Sequence, residues 1–244
     1  FNVLRNPTAA FDTLRAENPA LYVSLRDQFI PAMEYTYTYD NASVRGKRNP
    51  IWWQTTVASA GNLTSAVYRI FGKQMIASRI AGGVIWSYGN ATTAPYTEQF
   101  YIGGANSVRA FSARSIGPGG YPPETDRKYT YINHVGDIRI EANIEYRFRM
   151  IADLHGAVFL DAGNVWLMRK DENRPNGEFT LKNFPKQIAL GTGFGLRYDL
   201  DFLVFRLDLG IGLHDPYDTG KSGYYNIPKF KDSMALHFAI GYPF

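Results

Sequence analysis

Apolar and polar residues alternate strictly along several segments of this chain. From 137 to 150 every even position is apolar and every odd position is polar. A helix would spread the charged residues around its circumference, so a period of two predicts a β-strand. The segment exceeds the roughly 5–6 residues of an average soluble strand, and it covers the roughly 9–11 residues of a tilted membrane strand.

The same period recurs along most of the remaining chain. It is regular at 187–198, 203–214 and 236–244, and less regular at 34–39, 51–61, 75–88 and 154–166. One segment departs from it: residues 62–72 have apolar positions at helical spacing, which predicts a short helix with Gly72 as its C-cap. The predicted fold class is all-β, an antiparallel sheet of about eight or nine strands.

Two stretches lack a sustained period. Residues 1–27 contain two Asn-Pro turn signals and are predicted to be an irregular loop or helical segment. Residues 89–134 are rich in Gly and Pro, and a loop of that length is either functional or disordered. The remainder, 28–244, is assigned to one β-domain. Because the chain starts at Phe1 and the junction at 71–75 is abrupt, we expect residues to be missing before Phe1 and near 72–75.

The composition separates two kinds of β-protein. The chain has 16 Phe, 17 Tyr and 4 Trp, yet its mean hydropathy is −0.26. A membrane β-barrel has this combination, because apolar and polar residues cancel in the mean while they lie on opposite faces. The net charge of +4 is too small to indicate nucleic-acid binding. The absence of Cys excludes a disulfide scaffold.

A soluble sandwich with one wet face would show the same alternation, and the Trp52-Trp53 pair would suit a carbohydrate-binding member of that class. Three features favour a barrel: the long strands, the aromatic end at Phe244, and the many glycines in the polar phase, where another backbone can approach closely. No charge lies in the apolar phase of the four regular strands. One there would cost about 2–4 kcal/mol at the bilayer midplane.

No enzyme motif is evident. The histidines lack metal-ligand spacing, and neither a nucleophile elbow nor a P-loop is present. Asp137, Glu141 and Glu145 line one strand face, but they interleave with arginines, which indicates a satisfied ladder of charges along that strand rather than paired catalytic carboxylates. We therefore expect no catalysis, no metal and no cofactor.

Four separated segments resemble a known family. They are 101–111, which contains Val108, Arg109, Ala110 and Phe111, followed by 135–137, 144–146 and 159–166. In this order, and with an aromatic last residue, they resemble the bacterial outer-membrane assembly factors of the BamA and TamA type over about residues 75–244. The Gly-Gly-Ala-Asn lead-in and Ala110, where the family normally has Gly, are most similar to TamA-like members.

The resemblance implies the C-terminal portion of a sixteen-strand transmembrane barrel preceded by periplasmic POTRA domains. Loop 89–134 would fold into the lumen, with Arg109 at its tip. The lumenal partners of Arg109 would be Glu145, Asp161 and Phe159, and Arg suits them because its planar fork binds carboxylates and stacks on rings. Arg109→Ala should then be more harmful than loss of a lumenal surface charge such as Arg206. Ala110 makes a positive φ at the tip less favourable.

The implied function is insertion of client β-barrel proteins, or translocation of proteins, at the outer membrane of a Gram-negative bacterium. A seam would open beside the last strand, and that strand would template a client strand by β-augmentation. Its residues are Leu236, Phe238, Ile240, Tyr242 and Phe244. Implied partners are the lipid bilayer, client proteins and accessory periplasmic or lipoprotein subunits. A transport channel or structural barrel without an assembly role is the alternative. BamA-type and TamA-type roles, the client range and the POTRA number stay open.

Overall fold

The computed structural model describes residues 33–41, 50–58, 61–87, 94, 96–123, 132–200 and 202–244. The segment predicted to be irregular at 1–27 lies outside them. Nine strands are present in the described part: β1 (Glu34–Asp40), β2 (Ile51–Ala58), β3 (Asn62–Phe71), β4 (Gln74–Val84), β5 (Ile138–Ile151), β6 (Leu154–Trp166), β7 (Ala189–Asp199), β8 (Val204–His214) and β9 (Met234–Ile240).

The nine strands form one antiparallel sheet in sequence order, so each strand pairs with the next one along the chain. Short 3-10 helices at Phe184–Gln187 and Phe230–Ser233 precede β7 and β9. Among the described residues no helix is both long and apolar enough to cross a membrane. Alternation of side chains therefore predicted the class of fold and nearly every strand.

The helix predicted at 62–72 is wrong. This segment is strand β3, paired with β4 along its whole length and with β2 from Asn62 to Arg69. Its apolar residues satisfy a helical spacing, but two neighbouring strands supply hydrogen-bond partners on both sides, and this tertiary context overrides local periodicity. Gly72 has φ +63° and forms the β3–β4 turn with Lys73, with Phe71 opposite Gln74. The abrupt junction at 71–75 is therefore a tight hairpin turn.

From β5 to β8 the sheet buries its polar face and exposes its apolar face. In β5 the buried positions are Glu141, Asn143, Glu145 and Arg147, whereas Ile144 between them is 47% exposed. The same inversion holds in β6, where Phe159 and Asp161 are buried and Leu160 is exposed. We call the buried side the inner face and the apolar side the outer face. A soluble sandwich packs its apolar face into the core, so this sheet is its reverse.

The long segment between β4 and β5 covers the inner face. Its described residues form turns without a strand or an α-helix, apart from an isolated bridge between Phe100 and Gly136. A small apolar core holds the segment against the C-terminal end of β6 and the N-terminal end of β7. It consists of Phe100, Ile102, Val108, Ile116, Val165 and Ala189. The segment predicted as a long loop is thus tightly packed where it is described.

Candidate functional site

The tip of the long loop is a tight turn that presents Arg109. The amide of Phe111 donates to the carbonyl of Val108 at 3.1 Å, which closes a four-residue turn. Ala110 does not have a positive φ. This turn therefore needs no glycine at its third position, and Ala110 fits where the resemblance suggested strain.

Arg109 is enclosed by side chains of β5 and β6. Its Nε and Nη2 donate to the two oxygens of Asp161 at 2.8 and 2.9 Å, and its backbone amide donates to Oδ2 at 3.0 Å. Its Nη1 donates to Glu145. The guanidinium carbon lies 3.6 Å from the centre of the Phe159 ring. Arg109, Glu145 and Asp161 are fully buried. The structure thus brings together Arg109 with the three residues predicted to surround it.

The electrostatics of this contact favour the charged form of Arg109. Burial alone lowers the pKa of an arginine, because it removes water from the cation. Here the hydrogen bond to Asp161 and the charges of Asp161 and Glu145 outweigh burial, so the pKa of Arg109 is raised above its ordinary value. The loop tip is therefore held as a cation against two carboxylates at any physiological pH.

Further arginines surround the same carboxylates. Glu145 also accepts from Arg147 at 2.7 Å and from Arg197 of β7 at 3.2 Å. Arg197 donates to Asp208 of β8 at 2.5 Å, and Asp208 lies 3.9 Å from Nη1 of Arg109. A network of charges thus joins the tip to the inner face of β5 to β8, which we call the wall. Sequence reasoning missed Arg197 and Asp208, although both lie in the polar phase of their strands.

The lead-in to the tip has its own polar contacts with the wall. Arg79 of β4 donates to the Asn106 carbonyl at 2.9 Å and also contacts Glu141. Asn143 donates to the Ser107 carbonyl at 3.0 Å. Glu141 therefore pairs with another strand, and the charge ladder expected within β5 itself is confined to Arg147 with Glu145.

Arg206 is not a lumenal surface charge, as the sequence suggested. It is 1% exposed, and its Nη2 donates to Asn106 Oδ1 at 2.5 Å. Its Nε lies 3.6 Å from Asp208 Oδ2. Arg206 is therefore another contact between wall and loop, and it cannot serve as a neutral control for Arg109.

Glycines on β7 and β8 form a shallow floor beneath the tip. A Cβ added at Gly191 would lie 2.2 Å from Cβ of Ala110, and one added at Gly210 would lie 2.3 Å from the Arg109 carbonyl oxygen. Only residues without side chains leave room for the turn at this depth. The glycines in the polar phase, which were expected to admit a second backbone, have that function at these two positions.

The loop between β8 and β9 lies beside the tip. Asn226 exchanges hydrogen bonds with the backbone of Asp215, donating at 2.9 Å and accepting at 2.7 Å. Burial, with the charge and hydrogen bond of Asp215, raises the pKa of Tyr217 to about 12. A cleft of about 460 Å³ separates this loop from the tip, and its lining includes Phe111 and Met234.

The last strand differs from its prediction at both ends. It was predicted at 236–244 and is observed at Met234–Ile240, with Leu236, Phe238 and Ile240 exposed on the outer face. Gly241, at φ +83°, turns the chain away from the sheet. Tyr242 and Phe244 therefore lie outside the strand, and their rings lie 4.4 and 5.8 Å from the guanidinium carbon of Arg147. Within the described residues β9 pairs with β8 alone.

The described part of the chain contains no cluster of three or more His, Asp or Glu side chains able to hold a metal ion. The four histidines lie apart, at His134, His155, His214 and His237. The arrangement around Arg109 fixes the loop tip to the inner face of the sheet.

Two known proteins are similar to this chain, one in sequence and one in fold. The chain is 26% identical over 175 residues to the outer membrane protein assembly factor BamA of Nitratidesulfovibrio vulgaris, an alignment that covers 71% of this chain and 19% of that protein. The crystal structure of BamA from Haemophilus ducreyi lacking POTRA domains 1–3 superposes with a TM-score of 0.53 at 14% identity, over 92% of this chain and 47% of that one.

The chain thus spans less than half of either relative, and the structural likeness at 14% identity concerns the fold alone. The stronger match is to a family: residues 53–244 match the Omp85 superfamily domain, from β2 to the last residue. That region contains the loop tip, its carboxylate partners and the last strand. The chain belongs to the Omp85 superfamily.

Proposed function

We propose that this chain is part of an outer-membrane barrel that inserts or assembles client β-barrel proteins. The observation that carries the proposal is the inverted sheet, whose charged inner face encloses the Arg109 tip, while its last strand pairs with β8 alone within the described residues. The family and the BamA relative support an assembly role. The function requires no catalytic group and no cofactor.

The outer face supports a location in the bilayer. Its exposed residues on the central strands are apolar and include Ile144, Val158, Leu160, Phe194 and Leu207. Contiguous apolar surface of this kind is rare on soluble proteins and suits lipid. The outer membrane of a Gram-negative bacterium is the compartment in which barrels of this family would act.

The free edge of β9 supports a templating role. Its backbone hydrogen-bonding groups on the side away from β8 have no strand beside them in the described residues. Such an edge pairs readily with an incoming strand. We propose that a client strand adds at this edge when the seam beside β9 opens, while the Arg109 network keeps β5 to β8 rigid.

The test uses the full-length protein in proteoliposomes, supplied with an unfolded client barrel. This chain has no Cys, so Ala239→Cys places one thiol in it, on the inner face of β9. Ala81→Cys is the matched control, since it is also an inward alanine and lies on β4 between two paired neighbours. We expect an arrested client carrying a cysteine in its terminal strand to cross-link to position 239 and not to position 81.

Three outcomes would count against parts of this proposal. Equal cross-linking at both positions would overturn templating at β9. Client folding no faster than in empty liposomes would overturn the assembly role. Selective solute conductance with no client folding would favour the alternative, a transport channel.

The finer assignments are part of the same proposal. The sixteen-strand closure, the C-terminal position of this chain within the barrel, and accessory periplasmic or lipoprotein subunits are what the resemblance to the BamA and TamA type implies. POTRA domains before the barrel are supported by the BamA structure from Haemophilus ducreyi, which lacks POTRA domains 1–3. A TamA-like role is supported by Ala110 and by the Gly-Gly-Ala-Asn lead-in before it. The upstream sequence, with its number of POTRA repeats, would decide between the two types.

A further inference from the structure

The last strand is joined to the loop tip by one side chain, His237. Its Nε2 lies 2.9 Å from the carbonyl oxygen of Arg109, across 128 residues of sequence. A carbonyl oxygen only accepts hydrogen bonds, so Nε2 carries the proton and donates. The neutral Nε2–H tautomer and the imidazolium both satisfy this contact.

The inner face of β9 offers no comparable contact. Its inward positions are Ala235, His237 and Ala239, which lie opposite Gly210, Asp208 and Arg206 of β8. His237 is thus the only inward side chain of this strand larger than a methyl group. Beyond its backbone ladder with β8, the strand reaches the loop tip through this ring.

Gly210 of β8 leaves room for the contact between His237 and Arg109. The Arg109 carbonyl lies so close to Gly210 that a Cβ there would be 2.3 Å from its oxygen. This close approach carries the carbonyl over β8 and toward β9. A side chain at position 210 would push the tip away from the wall and out of reach of His237.

We infer that His237 is a positioning residue that couples the last strand, β9, to the loop tip. When the seam beside β9 opens and β9 moves away from the loop tip, the hydrogen bond to Arg109 must break, and the tip then loses one of its supports. Conversely, a tip seated on Asp161 and Glu145 holds β9 in place. The inference deepens the proposed function and rests on it for its biological meaning, because the loop that contains Arg109 would then stabilise the position of β9 at the seam.

Amide hydrogen exchange on the full-length protein in lipid nanodiscs tests the coupling directly. His237→Leu keeps the bulk of the ring and removes the donor. We expect exchange to rise by about threefold to tenfold, the effect of one ordinary hydrogen bond, both in β9 and in the tip at 107–112. His155→Leu is the matched control, because the ring of His155 hydrogen-bonds to the nearby carbonyl of Asp153 and not to the loop tip; it should leave both segments unchanged.

A second pair of variants keeps the test decisive if the leucine variant does not fold. His237→Gln places an amide nitrogen near the position of Nε2, whereas His237→Asn is too short to reach. Gln should restore protection in both segments and Asn should not. Faster exchange in β9 alone, or equal behaviour of Gln and Asn, would overturn the coupling. Because exchange needs no client, failure of the assembly role would appear separately in the proteoliposome assay.

Discussion

At the scale of single residues, Arg109 combines three kinds of contact that one lysine could not make. Its planar guanidinium binds both oxygens of Asp161, reaches Glu145 and lies against the Phe159 ring. Only arginine has a fork that is at once bidentate and able to stack. The network around it holds a loop in place, because each carboxylate that Arg109 neutralises is also buried.

Replacing Arg109 by alanine should therefore be strongly destabilising. The change leaves Asp161 and Glu145 buried with fewer cations, and breaking a buried pair in this way costs about 3–5 kcal/mol. Arg169→Ala, in an exposed position outside the strands, is the control and should change stability by less than about 0.5 kcal/mol. Urea unfolding followed by tryptophan fluorescence measures both. Equal unfolding midpoints for the two variants would contradict the role assigned to Arg109.

At the scale of elements, the loop and the sheet fit because their surfaces are complementary. Strands β7 and β8 have glycines where the tip approaches, and Ala110 of the tip lies against Gly191 and Gly210. The contact is close enough that one methyl group decides it. The resemblance to a family with Gly at the tip and the observation of Ala there are compatible, because this turn keeps an ordinary φ at that position.

This fit predicts a compensating pair of substitutions. Gly191→Ala should destabilise the protein by about 1–3 kcal/mol, since its new methyl group meets Cβ of Ala110. Adding Ala110→Gly should recover a large part of that loss. Gly82→Ala is the control, because a Cβ there has no neighbour nearer than 3.8 Å.

A double-mutant cycle from unfolding free energies measures the coupling between positions 110 and 191. We expect a coupling within the about 0.5–3 kcal/mol found for residues in contact. Additive effects of the two substitutions would show that the tip does not rest on Gly191.

At the scale of the whole molecule, the sheet requires apolar surroundings, because its apolar residues face outward and its charged residues face inward. Apolar residues face outward along β5 to β9, and the charged residues are enclosed by the loop. In water the exposed apolar outer face would promote aggregation, whereas in a bilayer the same face contacts lipid tails. The function proposed for the chain depends on this orientation.

A charge placed on the outer face tests the orientation. Ile144→Arg should cost about 2–4 kcal/mol near the bilayer midplane. Leu181→Arg is the control, because Leu181 is 83% exposed in the segment between β6 and β7. Unfolding from lipid vesicles measures the difference. Wild-type stability in Ile144→Arg would mean that this face contacts water.

The sequence by itself determined the strands and their faces, because side chains alternate along a strand whatever surrounds it. It also determined the partners of Arg109 through a resemblance, since Glu145, Asp161 and Phe159 lie in the right phase of their strands. Only the tertiary structure decided that 62–72 is a strand, that Arg206 is buried against Asn106, and that His237 reaches Arg109. These depend on neighbours distant in sequence, which local periodicity does not report. The last strand likewise ends at Ile240 because Gly241 turns, and no alternation pattern encodes a positive φ.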